Sequence, residues 1–125
     1  MGLPVSFEDI EKARETLSGK ILRTPAIAAP ALGEALGVDL TLKLENLQRT
    51  GSFKARGAYV KLASLSAAER ERGVIAMSAG NHAQGVAYHA TALGICSTIV
   101  MPAATPFTKV EKTRNFGATV VQHGH

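Results

Sequence analysis

From Val74 onward the chain alternates between two periodicities, and this order limits the folds open to it. "VIAMSA" (Val74–Ala79) is an unbroken small and apolar run. "STIVMP" (Ser97–Pro102) and "ATVVQH" (Ala118–His123) follow, also as strand-like runs. A helix opens at "GNHAQG", continues through Ala92 and stops at Gly94. A second opens at Thr105-Pro106, a helix cap followed by a first-turn proline, and runs to Phe116 with Gly117 at its end. Strands separated by helices pair in parallel through right-handed crossovers. The expected fold class is therefore α/β, a parallel sheet with flanking helices. The apolar runs predict strands buried on both faces.

The N-terminal part is less regular. Ser6 and Asp9 form a capping-box pattern ahead of a helix from about Phe7 to Leu17, closed by Gly19. Pro25 and Pro30 confine the next helix to a short stretch beginning near Pro30 and ending at Gly37. "VDLTLKLE" alternates apolar and polar residues and predicts a half-buried strand. After the Gly51 turn, Ser52 can cap a helix to about Ala63 that carries Ala55, Tyr59 and Leu62 on one face. Ser66 and Glu69 make a second capping box for a short helix ending at Gly73. No repeat, low-complexity segment or linker interrupts the chain.

Composition narrows the function classes. With 46% hydrophobic and 19% charged residues, the chain reads as globular rather than disordered. The net charge of +4 comes from 14 basic and 10 acidic residues, and the basic ones are scattered from Lys12 to Arg114. Nucleic-acid binding needs a clustered patch, so no nucleic-acid partner is expected; a small anionic ligand suits the mild positive bias. The single cysteine, Cys96, sits in "ALGICSTIV" without an activating neighbour and reads as a buried apolar residue. No apolar run approaches the ~18 residues of a membrane span. "MGLPVSFEDI" lacks a basic segment followed by an apolar one, and its opening Met1-Gly2 fits an acylation pattern poorly because of Pro4. These features point to a cytoplasmic protein with no membrane partner.

Two stretches carry chemistry. "SAGNHAQG" (Ser78–Gly85) follows a predicted parallel strand and opens a helix, where backbone amides and the helix dipole favour an anion. Ser78, Ala79 and Gly80 are small enough for close approach, and Asn81 offers a donor and an acceptor. The plainer reading is a helix cap, with Asn81 capping and His82 facing solvent. The loop lacks the G-x-G-x-x-G spacing of dinucleotide binders.

The second stretch is "TGSFKARGA" (Thr50–Ala58). A helical lysine is ordinarily a solvated surface group. Lys54, however, follows the ring of Phe53 and a tight Gly51-Ser52 turn, while Gly57 and Ala58 thin the helix beyond it. An amine placed so can form a Schiff base with an aldehyde, and burial favours the neutral amine that this requires. His82 and His89 are seven apart and share a helical face, but no third ligand accompanies them, so no metal site is expected. His89 reads as packed or at the solvent edge. His123 and His125 read as residues of a loose chain end.

"LKLENLQRTGSFKARGA" (Leu42–Ala58), "SAGNHAQGVA" (Ser78–Ala87) and "IVMPAATPFTKVEKTRNFGATVVQHG" (Ile99–Gly124) resemble, in one order and register, the threonine ammonia-lyases. These are pyridoxal-phosphate enzymes of the tryptophan-synthase-β-like, or fold type II, group. The resemblance covers essentially the whole chain. It implies pyridoxal 5'-phosphate as cofactor, with Lys54 as its covalent anchor and general base. Phe53 would line the pyridine ring, and Asn81 would hydrogen-bond the ring hydroxyl. Ser78, Ala79, Gly80, Asn81 and His82 would hold the carboxylate of an amino-acid substrate. The reaction implied is dehydration and deamination of L-threonine, and of L-serine, to 2-oxobutanoate or pyruvate and ammonia.

The same resemblance assigns residues 1–50 to the N-terminal segment of the larger cofactor domain and 51–125 to most of the smaller α/β domain. The family's glycine-rich phosphate cup lies beyond the segment matched here, so the chain is expected to be catalytically incomplete alone. The full-length form is expected to be a homo-oligomer. Competing expectations are a serine racemase-like or hydroxyaspartate dehydratase activity, and a non-catalytic small-molecule or protein-interaction module that kept the fold.

Overall fold

A computed structural model describes residues 4–124; the Met1-Gly2 pattern and His125 lie outside them. Helix α1 (Phe7–Leu17) opens on the expected box: the Ser6 Oγ accepts from the Asp9 amide at 3.2 Å, and the Asp9 carboxylate accepts from the Ser6 amide at 2.9 Å. Each side chain satisfies an amide that the helix itself leaves free. Strand β1 (Ala26–Ala28), helix α2 (Pro30–Leu36) and strand β2 (Thr41–Lys43) follow, and α2 ends on Gly37 as expected. The two strands pair antiparallel, with Ala26 opposite Lys43.

The expected half-buried strand over "VDLTLKLE" is cut to three residues, all exposed. No described element covers this ribbon, and its chain turns into a 3-10 turn at Glu45–Leu47. Strand β1 was not legible because Pro25 and Pro30 bracket it. Both prolines stand just outside the paired residues, where a missing N–H costs the ladder nothing.

Helices α3 (Lys54–Ala63) and α4 (Ala67–Arg72) lead to β3 (Val74–Met77), α5 (Asn81–Ala92), β4 (Ser97–Met101), α6 (Phe107–Asn115) and β5 (Thr119–Gln122). The sheet is parallel, in the order β3-β4-β5, so the alternation in the sequence gave the right topology. Register aligns Ala76, Ile99 and Val120 in one row. That row meets Ala83, Val86 and Ala87 of α5, Val110 of α6 and Ala58 of α3 in the main apolar core. A second cluster joins Leu62, Ala90 and Ile95. Small residues on α5 let the sheet and α3 approach it from two sides.

Three expectations fail for identifiable reasons. Strand β3 is not buried on both faces: Ile75 is 74% and Met77 82% exposed, because the described helices cover only the face of Val74 and Ala76. Cys96 is exposed, since its neighbours Ile95 and Ser97 take the inward positions at the start of β4. Thr105 does not cap α6; its amide donates to the Pro102 carbonyl in a turn, and its buried hydroxyl has no partner among the described residues.

His89 is packed, as expected, and only 2% exposed. Its ring meets Tyr59 of α3 edge-on at 5.1 Å and Tyr88 at 4.9 Å. Burial first, and then the Arg49 charge, hold its pKa below the ordinary 6.5. The unfolded chain then binds a proton that the folded chain rejects, so stability falls as pH drops below 6.5 toward the lowered folded value. His89→Phe is expected to flatten the urea midpoint between about pH 7 and pH 5, where the parent chain loses stability.

Candidate active site

Lys54 is the first residue of α3. The preceding turn places Gly51 at φ 76°, a conformation glycine adopts without steric cost. Ser52 is buried and its Oγ accepts a 3.3 Å bond from the Lys54 amide, but Phe53 rather than the expected Ser52 stands at the helix cap. Lys54 Nζ stands 4.9 Å from the centroid of the Phe53 ring, within cation–π range. Both side chains are exposed among the described residues, so the buried setting expected for the amine is absent from them.

The lysine is set beside the second motif by a close helix contact. A Cβ built on Gly85 of α5 would lie 3.1 Å from the Lys54 carbonyl oxygen and 3.2 Å from its carbon. Glycine at this position lets the start of α3 rest close against α5, nearer than most side-chain-bearing residues allow. Sequence reading treated Gly85 as part of a glycine-rich turn and missed this role; its place one helical turn from Asn81 was the available signal.

Between these elements and β3 lies a cleft of about 400 Å³, a size typical of small-molecule sites. Its walls include Phe53, Lys54, Gly57, Ala58, His82 and Val86. A Cβ on Gly57 would meet nothing within 4 Å. The cleft therefore has an aromatic ring, a primary amine and an open glycine-lined space beside them. These fit a flat aromatic aldehyde such as pyridoxal phosphate at its ring and aldehyde end.

Ser78, Ala79, Gly80 and Asn81 form the adjoining loop rather than the cleft wall. The Ser78 amide donates to the Val100 carbonyl at 3.0 Å, fixing the loop to the sheet, and its Oγ accepts from the Gly80 amide at 3.2 Å. The Ser78 hydroxyl proton remains available for donation. Asn81 is not the cap: Gly80 precedes the helix, no side chain caps it, and Asn81 is exposed as the first helical residue. The free amides of the first turn of α5 thus remain open to an anion. Among the described residues no cluster of three histidine, cysteine or acidic side chains could hold a metal.

Residues 17–125 match the family model described as "Pyridoxal-phosphate dependent enzyme". The chain belongs to that family. Its cofactor is pyridoxal phosphate. An L-threonine ammonia-lyase of Thermotoga maritima is 53% identical over 121 residues, covering 97% of this chain and 30% of the relative. An L-threo-3-hydroxyaspartate ammonia-lyase of a Pseudomonas species is 49% identical, covering 93% of this chain and 36% of the relative. The crystal structure of serine racemase from Dictyostelium discoideum superposes with a TM-score of 0.89 at 35% identity, over 96% of this chain and 40% of that one. The fold is thus the type II cofactor fold that the motifs implied. The chain spans between 30% and 40% of these relatives' lengths. No helix among the described residues is long and apolar enough to cross a membrane.

The two glycines differ in what an added methyl group would meet. Gly57→Ala, entering open space within a helix, should stabilise by about 0.5–1 kcal/mol. Gly85→Ala gains the same helix propensity but presses on the α3 backbone, so it should be the less stable of the two by about 1 kcal/mol or more. Urea denaturation of the two variants checks the order.

Proposed function

We propose that this chain is the lysine-bearing and substrate-loop portion of a threonine ammonia-lyase, acting on L-threonine and L-serine. The observation that carries the reading is the shared site of Lys54, Phe53 and the first turn of α5, brought together by the Gly85 contact. The 53% identity to an L-threonine ammonia-lyase supports the choice of substrate. Residues 1–50 then belong to the larger cofactor domain and 51–125 to the smaller one, in a cytoplasmic, homo-oligomeric full-length enzyme.

When bound, pyridoxal phosphate supplies an aldehyde for capture of an amine and a ring that delocalises the electron pair released at the substrate Cα. Lys54 Nζ would hold the cofactor aldehyde covalently and, when free, would be the base placed to take a proton from the substrate Cα. The Ser78–His82 loop receives the substrate carboxylate at the positive end of α5, through the amides left open at the start of that helix and the Ser78 hydroxyl. The Asn81 side chain would hydrogen-bond the cofactor's ring hydroxyl, and Phe53 would line its ring. The overall change would release the β-hydroxyl as water and the amine as ammonia, converting the substrate to the oxo acid.

Incubating the chain with pyridoxal phosphate, reducing with borohydride and mapping the peptides tests the reading. A single modified lysine at position 54, lost in Lys54→Ala, is the expected result. Labelling scattered over many lysines favours the non-catalytic module. Product assays with L-threonine, D- and L-serine and 3-hydroxyaspartate separate the ammonia-lyase from racemase-like and hydroxyaspartate-directed chemistry, both of which occur among the named relatives.

A further inference from the structure

The start of α3 lacks the capping that fixes the other box-capped helices. Its first turn carries no acidic residue, Phe53 makes no side-chain cap, and the Ser52 bond to the Lys54 amide is long at 3.3 Å. What holds this turn comes from elsewhere in the chain. Arg56, two residues beyond Lys54, donates from Nε to one Glu45 oxygen at 2.8 Å and from its terminal nitrogen to the other at 2.7 Å. A fork-to-fork pair of this kind fixes orientation as well as distance.

Glu45 is itself held. The Thr24 hydroxyl donates to its Oε1, and the Lys43 amine donates to the Thr24 carbonyl. Gln48 clamps the same strap: its amide nitrogen donates to the Leu22 carbonyl and its oxygen accepts from the Leu22 amide, both at 3.0 Å. Thr24 and Gln48 are each only 4% exposed. Residues 22–24, the 3-10 turn and the first turn of α3 thus form one polar unit.

The Arg56 bonds hold the Glu45 carboxyl down to about 2, and those from Glu45 raise Arg56. The pair stays charged across the physiological range, which makes it a fixed clamp and not a pH switch.

We infer that the Thr24–Glu45–Arg56 clamp is a positioning device for Lys54, setting the direction in which its amine enters the cleft. The inference rests on the reading of Lys54 as the cofactor lysine. It assigns Glu45, Arg56 and Thr24 roles that act through the first turn of α3, without contact with the cofactor.

The test uses the whole chain, with pyridoxal phosphate and cyanoborohydride as probe. The lysine nitrogen bonds to the aldehyde carbon, the carbonyl oxygen leaves as water, and hydride from the reagent reduces the resulting double bond. The initial labelling rate at Lys54 is divided by that at Lys112, an exposed lysine on α6 outside the cleft. General loosening of the fold moves both lysines together and leaves the ratio unchanged.

Glu45→Gln should lower the ratio by about tenfold, the scale of losing one charge-assisted bond pair. Arg56→Lys keeps the charge but loses the fork, and Thr24→Val keeps the ion pair but frees Glu45; each should lower the ratio by a smaller factor. A parent chain that labels Lys54 preferentially, with ratios unchanged in all three variants, overturns the positioning role and leaves the cofactor reading intact. A parent chain with no preference for Lys54 overturns the cofactor reading and the inference with it. Should Glu45→Gln lose its circular-dichroism signature of folding, the two milder variants decide on the same criterion.

Discussion

The structure depends on the contact between the start of α3 and the middle of α5, where Gly85 lies against the Lys54 carbonyl. Interiors are packed to crystalline density, so the missing methyl group at Gly85 favours the close approach of the two helices. The contact does two things at once. It closes the core through Ala55, Ala58 and Leu62, and it brings the Lys54 amine and the first turn of α5 to the same cleft. The apolar packing and the chemistry therefore share one interface, and neither can be altered there without the other.

The sheet below that interface was readable in the sequence because its signals are local. Strand-length apolar runs, two capping boxes and glycines after the helices each fall where the corresponding element ends. The errors arose where a signal depended on something distant. "VIAMSA" reads as doubly buried, yet burial of Ile75 and Met77 requires a layer on the second face, and no described element supplies one. Strand β1 exists only through its pairing with β2, which no property of "AIA" announces.

The candidate site divides in the same way. Lys54, Phe53 and the Ser78–His82 loop stand out as motifs, since unusual residue types occur at close spacing. Gly85 and Glu45 do not. The first looks like any helical glycine and the second like any surface acid. Their importance comes from Lys54 and Arg56, partners 31 and 11 positions away in the chain. The cleft also collects His82 but leaves Ser78–Asn81 on its rim, a distinction of direction that spacing alone does not encode.

The Gly85 contact and the Glu45–Arg56 bonds both grip the same short turn, one by shape and one by charge. Lys54 is thereby fastened both to the parallel-sheet unit and to the N-terminal ribbon. Should those two bodies rock against each other during a catalytic cycle, the turn would act as a fulcrum. The backbone of Lys54, seated at the pivot, would travel least of all.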